Sequence, residues 1–178
     1  MSGKTFHLLR SEILFRGRAF AIRRDTLLTP DGRETRFDIV EHHGSVVLIP
    51  LDDEGNILFV RQYRHAAGRD LLELPAGSLD EGEAPEDCAA RELREETGYA
   101  AKAFEKVGEF YLAPGYSTEK MSVFVARDLF PAPLTADDDE FLDLVRMPLE
   151  QALRAAEEGR IPDAKSLAAL YLARNKLT

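Results

Sequence analysis

Glu92, Glu95 and Glu96 crowd into five residues near the end of the segment PAGSLDEGEAPEDCAARELREETGY, residues 75–99. On a helix, residues three and four apart are surface neighbours, so these carboxylates repel one another by roughly a few tenths of a kcal/mol per pair. They also fall in the last turns, where the helix macrodipole favours cations. Two arrangements would relieve the conflict. One is a solvated face balanced by Arg91 and Arg94; the other is a site for a hard divalent cation. Mg²⁺ takes oxygen ligands, keeps several waters and is held by a few carboxylates together with substrate phosphates.

The elements that must position these acids are legible around them. Pro85 suits a first helical turn and Gly98 a helix stop, which predicts a helix over residues 85–97. At about 100° per residue, Ala89, Ala90, Thr97 and Glu86 share a packing face with Leu93. The three acids form a separate stripe, with Cys88 close to it. Upstream, SVVLIPL (45–51) and NILFVRQYR (56–64) are dense apolar strands joined by a hairpin-like connection at 52–55. Before them, residues 6–43 alternate apolar and polar between short turns, predicting an antiparallel meander. Downstream come the strands AFEKVGEFYLA and KMSVFVARDL, the acidic TADDDEFLDLV, and two amphipathic helices at 148–159 and 163–177. The sequence contains no internal repeat and no low-complexity tract.

A chain of 178 residues with 44% hydrophobic content suits one domain with a small terminal elaboration. Its 23 Lys and Arg against 32 Asp and Glu leave a net charge of -9, which disfavours any general grip on nucleic acid. An anionic substrate has to be met by local cations. Basic residues interrupt every apolar run in the first thirty residues, so neither a signal peptide nor a membrane span is expected. Cys88 stands alone, which excludes an internal disulfide and a cysteine-rich zinc cage and fits a reducing, cytoplasmic location. His7, His42, His43 and His65 lack metal-ligand spacing, and no histidine partner is indicated for Cys88.

Gly77, Glu83, Arg91-Glu92-Leu93, Glu95-Glu96 and Gly98-Tyr99 together resemble the signature box of the Nudix hydrolases, nine defined positions in 23 residues. The resemblance implies hydrolysis of a nucleoside diphosphate linked to another moiety, with Mg²⁺ (or Mn²⁺ as a substitute) held by Glu92, Glu96, the carbonyl of Ala76 and, as an auxiliary, Glu95. Arg91 and Glu83 would orient the acids, and Gly77 would supply the sharp turn that brings the Ala76 carbonyl to the metal.

Outside the box the chain is similar to the ADP-ribose pyrophosphatase branch of that family. Pro114, fifteen residues after Tyr99, matches the branch's downstream proline. Glu140, preceded by Asp137, Asp138 and Asp139, matches its general base. Arg64 matches a phosphate-contacting arginine, against the alternative of a strand-edge arginine paired to a surface acid. Glu119 matches a position near the terminal ribose, and Arg36 and Asp38 match positions near the nucleobase. Phe20 suits either base stacking or the core. Gly115-Tyr116 departs from the branch's usual glycine pair, so Tyr116 is placed to stack on or close the pocket.

The resemblance therefore implies an α/β (α+β) Nudix fold, a mixed sheet sandwiched between helices, over residues 44–178. The antiparallel β meander of residues 1–43 would be swapped between subunits of a homodimer. The implied reaction is water attack on ADP-ribose to give AMP and ribose 5-phosphate. Alternatives are another nucleoside diphosphate sugar, such as GDP-mannose, or a non-catalytic ADP-ribose-binding module.

Overall fold

The computed structural model describes residues 5–135 and 141–177. Its contacts divide the chain into two compact units. One comprises the chain up to Gly44 together with Tyr111–Lys120; the other comprises Ser45–Phe110 and the chain from Met121 onward.

In the first unit, β1 (His7–Arg16), β2 (Ala21–Leu28) and β3 (Glu34–Glu41) form an antiparallel sheet in that order, the meander expected from alternation. The Pro114 loop belongs to the same unit. Val40 and Ser117 form a bridge, and the Thr118 amide donates to the Val40 carbonyl at 3.0 Å. Phe6, Leu8, Leu9, Leu14 and Phe15 are exposed on this unit.

The second unit holds two sheets. The mixed one has the order β7 (Ala76–Ser78), β4 (Ser45–Pro50), β9 (Lys120–Pro131), β8 (Tyr99–Tyr111). Within it β4 runs parallel to β9 and antiparallel to β7. The other is antiparallel, with the order β10 (Leu142–Pro148), β5 (Asn56–Arg64), β6 (Arg69–Glu73). Every residue of β4 is buried, because both of its faces are covered. Val46 and Leu48 pack with Ala89 and Leu93 of α1 (Pro85–Thr97). On the opposite face, Val47 and Ile49 join Ile57 and Phe59 of β5, Ala152 of α2 (Leu149–Glu157) and Leu170 of α3 (Ala164–Ala173). The mixed sheet thus has α1 on one face and α3 with the second sheet on the other, while α2 packs against β5 and β10 of that second sheet.

Three features depart from the sequence-based expectation. The turn at 52–55 does not make a hairpin ladder: Leu51 and Ile57 form a single bridge, and then β4 and β5 enter different sheets. Both strands are apolar on two faces, so they gain more by facing each other across a core than by lying edge to edge. Strand β7, the tripeptide Ala-Gly-Ser, has no β-branched residue to announce it and exists through its pairing with β4. The end of the acidic stretch TADDDEFLDLV enters a strand, β10, whose Leu144 and Met147 lie opposite Val60 and Ile57.

Helix α1 begins and ends where predicted. Pro85 opens it, and Gly98 takes a left-handed φ of 77° while its amide donates to the Arg94 carbonyl at 3.1 Å. The C-terminal helices are shorter than expected. α3 is capped by the Asp163 carboxylate, which accepts the Ser166 amide at 3.0 Å.

Candidate active site

The packing face of α1 is wider than its apolar pattern. Cys88, Ala89, Leu93 and Thr97 are buried, but so are Glu92 and Glu96, each 7% exposed, whereas Glu86 is on the surface. The acids are therefore not one exposed stripe. Two of the three point inward, toward β7, and Glu95 is half-buried beside them. Burying carboxylates is expensive unless they are hydrogen-bonded or bind cations, and the neighbouring backbone supplies the first relief. The Ala76 amide donates to Glu96 Oε2 at 3.0 Å.

Gly77 supplies the room. A Cβ built there would sit 1.9 Å from Cδ of Glu92, so only a residue without a side chain lets that carboxylate lie against β7. Gly77 lies in extended strand and outside the positive-φ glycines. Its role is close approach rather than the sharp turn expected from the sequence.

Arg91 organises the acids. Its Nε and Nη2 donate to the two oxygens of Glu83 at 3.0 and 2.9 Å, and Nη1 donates to Glu92 at 2.6 Å and to Glu95 at 2.9 Å. Nη2 also reaches the Ser78 carbonyl at 3.2 Å, tying the helix to β7. The Glu83 hydrogen bonds come first among the causes that raise the Arg91 guanidinium above its ordinary value. Reciprocally, Arg91 holds the Glu83 carboxyl at about 2, below its usual 4.5. Cys88 is buried next to these carboxylates. Burial first, and then Glu92, push its thiol well above the ordinary range, so it stays protonated.

The Glu83 shift makes an acid-sensitivity prediction. A carboxyl with a lower value in the fold than in the unfolded chain stabilises the fold above about pH 4.5, and that contribution fades as pH falls toward 2. Glu83→Gln is expected to flatten the fall in thermal midpoint over this window. Identical acid slopes for the two proteins would show that other carboxylates govern it.

Arg64, at the end of β5, does not pair with a surface acid. Its Nε and Nη2 grip both oxygens of Glu73 at 2.9 and 2.7 Å, and Glu73 is 1% exposed. Glu73 was not among the expected site residues. Its signal was a charged residue inside the apolar run LLELP, since a glutamate is almost never fully buried without a partner.

The structure thus brings Ala76, Arg91, Glu92, Glu95 and Glu96 together at β7 and α1, with Arg64 in the same unit. Arg36, Asp38, Pro114 and Glu119 belong to the first unit. Asp38 is held by Arg24, Nε at 2.7 Å and Nη2 at 2.9 Å, and Arg36 lies exposed opposite Thr26. Pro114 lies with Arg23, Asp25, Tyr111 and Thr118 around a cavity of about 440 Å³. The Glu119 amide donates to Ser117 Oγ at 3.1 Å. Phe20 is 42% exposed and Tyr116 60%. Glu140, with Asp137, Asp138 and Asp139, lies outside the described residues.

Among the described residues no three His, Cys, Asp or Glu side chains converge as a ready metal cage. The donors present nonetheless suit a hard divalent cation. They are all oxygens, two of the carboxylates are buried, and the steric gap at Gly77 is filled by one of them. A Mg²⁺-type ion needs only one or two carboxylates because waters and substrate phosphates complete its shell.

Residues 41–170 match the NUDIX domain. The chain belongs to the Nudix family. Similar proteins span nearly its full length. An ADP-ribose pyrophosphatase of Bacillus subtilis (strain 168) is 37% identical over 164 residues, 91% of this chain and 89% of that one. A methanol dehydrogenase activator of Bacillus methanolicus is 37% identical over 172 residues, 94% and 93% of the two chains. A crystal structure of an ADP compounds hydrolase superposes with a TM-score of 0.87 at 28% identity, covering 99% of this Nudix chain and 96% of that one. The two relatives share one level of identity under different names, so the preferred substrate has to be argued from the site. No described helix of this Nudix protein is long and apolar enough to cross a membrane.

Proposed function

We propose that this Nudix protein is a pyrophosphatase that hydrolyses ADP-ribose to AMP and ribose 5-phosphate with Mg²⁺ as its cation. The observation that carries the reaction type is the buried pair Glu92 and Glu96 beside the Ala76–Gly77 backbone. The similarity to an ADP-ribose pyrophosphatase over 91% of this chain supports the substrate. Glu92, Glu96 and the Ala76 carbonyl would hold the cation, with Glu95 as auxiliary. Bound there, it would offset the anionic charge that protects a diphosphate from nucleophiles and lower the pKa of water.

The chain's own groups do the rest. Arg91 fixes the carboxylates, as partners of metal ligands do. Arg64, its fork gripped by Glu73, presents its positive charge to the diphosphate. Glu140 takes a proton from the attacking water. The water oxygen joins one phosphorus as the bridging P–O bond breaks, leaving two phosphomonoesters. Arg36, Asp38, Pro114 and Glu119 are substrate contacts on the resemblance alone. The exposed large apolar residues of the first unit, Phe6, Leu8, Leu9, Leu14 and Phe15, support a homodimer with swapped N-terminal strands, since apolar side chains in such number favour a covering partner. A cytoplasmic location completes the proposal.

Turnover of ADP-ribose, GDP-mannose and dinucleoside polyphosphates, measured with and without Mg²⁺, tests it. ADP-ribose is expected to lead and AMP release to require the metal. A tenfold or greater preference for GDP-mannose would transfer the assignment to another nucleoside diphosphate sugar. Binding of ADP-ribose without AMP release would make the protein a sensor.

A further inference from the structure

We propose that Glu73 is a positioning residue that aims Arg64 at the diphosphate, with Lys165 at the start of α3 seating Glu73 from the other side. The proposal rests on Arg64 being a diphosphate contact. Glu73 is almost wholly buried, yet it carries two cations. Arg64 engages both of its oxygens through Nε and Nη2, and Lys165 Nζ donates to Oε2. Lys165 also donates to Asp163 at 2.9 Å, so the carboxylate and its second cation are held by the cap of α3.

This arrangement fixes a direction as well as a charge. A two-point grip on Nε and Nη2 sets the guanidinium plane. Among the described residues Nη1 has no protein partner, and the Arg64 side chain is 41% exposed. A flexible arginine would spend rotamer freedom on meeting an anion; one already locked by a buried acid would not.

Glu73 is also tied to the carboxylate site through a short, pinned backbone. Leu74 donates its amide to the buried Ser166 Oγ at 2.7 Å, and two residues later Ala76 donates its amide to Glu96 at 3.0 Å. Four consecutive residues thus connect the acid that holds Arg64, an anchor on α3, and a carboxylate of the proposed metal site. Glu96 is close enough to Arg64 to contribute, behind Glu73, to raising its guanidinium. On this account a position outside the Nudix box governs how the cation of the chain faces the cation of the cofactor.

The experiment is a double-mutant cycle read as kcat and KM for ADP-ribose, with Mn²⁺ affinity measured by calorimetry on each purified protein. Arg64→Ala is expected to lower kcat/KM by about a hundredfold and Glu73→Gln by about tenfold, the range of a lost charge-assisted hydrogen bond. In the Arg64→Ala background, Glu73→Gln should change kcat/KM by less than about twofold, because residues acting as one unit are not additive. The loss should appear mainly in KM, with Mn²⁺ affinity unchanged. Equal losses from Glu73→Gln in both backgrounds, or a parallel drop in Mn²⁺ affinity, would overturn positioning while leaving Arg64 as a contact. Unchanged kcat/KM in Arg64→Ala would instead remove Arg64 from the site. If Glu73→Gln does not fold, Arg64→Lys decides. It keeps a cation against Glu73 but cannot span both oxygens, so it should behave like Arg64→Ala; full activity would refute the proposal.

Discussion

Glu96→Gln is expected to reduce turnover of ADP-ribose by more than about a hundredfold, because even groups that merely orient a metal ligand are worth about 10–100-fold. The substitution removes a metal-binding charge while leaving the fold nearly untouched. Glutamine keeps a side-chain oxygen to accept the Ala76 amide that now donates to Glu96 at 3.0 Å. It also removes one of two buried like charges on the same helix face. Thermal stability without metal should therefore be equal to or above that of the parent. The added stability that saturating Mg²⁺ confers on the parent should be largely lost, since a ligand stabilises only the state that binds it. Parental activity in Glu96→Gln would refute the metal assignment. Loss of both activity and the folded state would attribute Glu96 to structure instead.

Gly77→Ala is the second large effect, and it comes from a single methyl group. The new Cβ would sit 1.9 Å from both Cδ and Oε1 of Glu92. Those atoms end a flexible side chain, so the carboxylate can swing aside and the strand need not move. The expected penalty to folding is modest, about 1 kcal/mol, at the low end for overpacking a tight site. The functional penalty is much larger. Displacing Glu92 removes one of two buried metal carboxylates and breaks its 2.6 Å bond to Arg91. Turnover should again fall by about a hundredfold or more, with the Mg²⁺ concentration for half-maximal activity shifted upward. If Gly77→Ala retained both turnover and metal dependence, the close approach of Glu92 to β7 would have no catalytic meaning. Gly108→Ala is the control, since a Cβ there would meet Leu172 Cδ1 at 3.4 Å, an ordinary van der Waals contact away from the carboxylates.

These two residues show how much was legible in advance and how much was not. The limits of α1, its acids and the Gly77 spacing were all visible in the sequence, because proline, glycine and i, i+4 carboxylates act locally. The meander was visible too, since its alternation has a period of two and its turns carry glycine and proline. The helical wheel nonetheless misplaced the acids. It ranked faces by apolarity and set Glu92 and Glu96 apart from the packing face, whereas both are buried with it. Apolarity marks a buried face only where no buried polar partner exists, and the Ala76 amide and the Arg91 fork are partners that the wheel does not see.

The strands β4 and β5 mark the same boundary. Their apolar runs announced central strands correctly, but not that a turn at 52–55 would pass them into separate sheets. Strand β7, which supplies both Ala76 and Gly77, has no propensity of its own and is made by its neighbour β4. Glu73 lay in plain view between leucines, yet its partners Arg64 and Lys165 stand nine residues before it and 92 after it.

By itself, then, the sequence determined the chemistry on offer: a helix of set length carrying a spaced set of oxygen donors, a chain without disulfides, and a family. The tertiary structure decided which acids are buried, why position 77 must be glycine and which carboxylate holds Arg64. The physical reason is range. Helix limits, turns and charge spacing arise from interactions within a few residues, whereas burial, close approach and ion pairing depend on segments that only the packing of two sheets and three helices brings together.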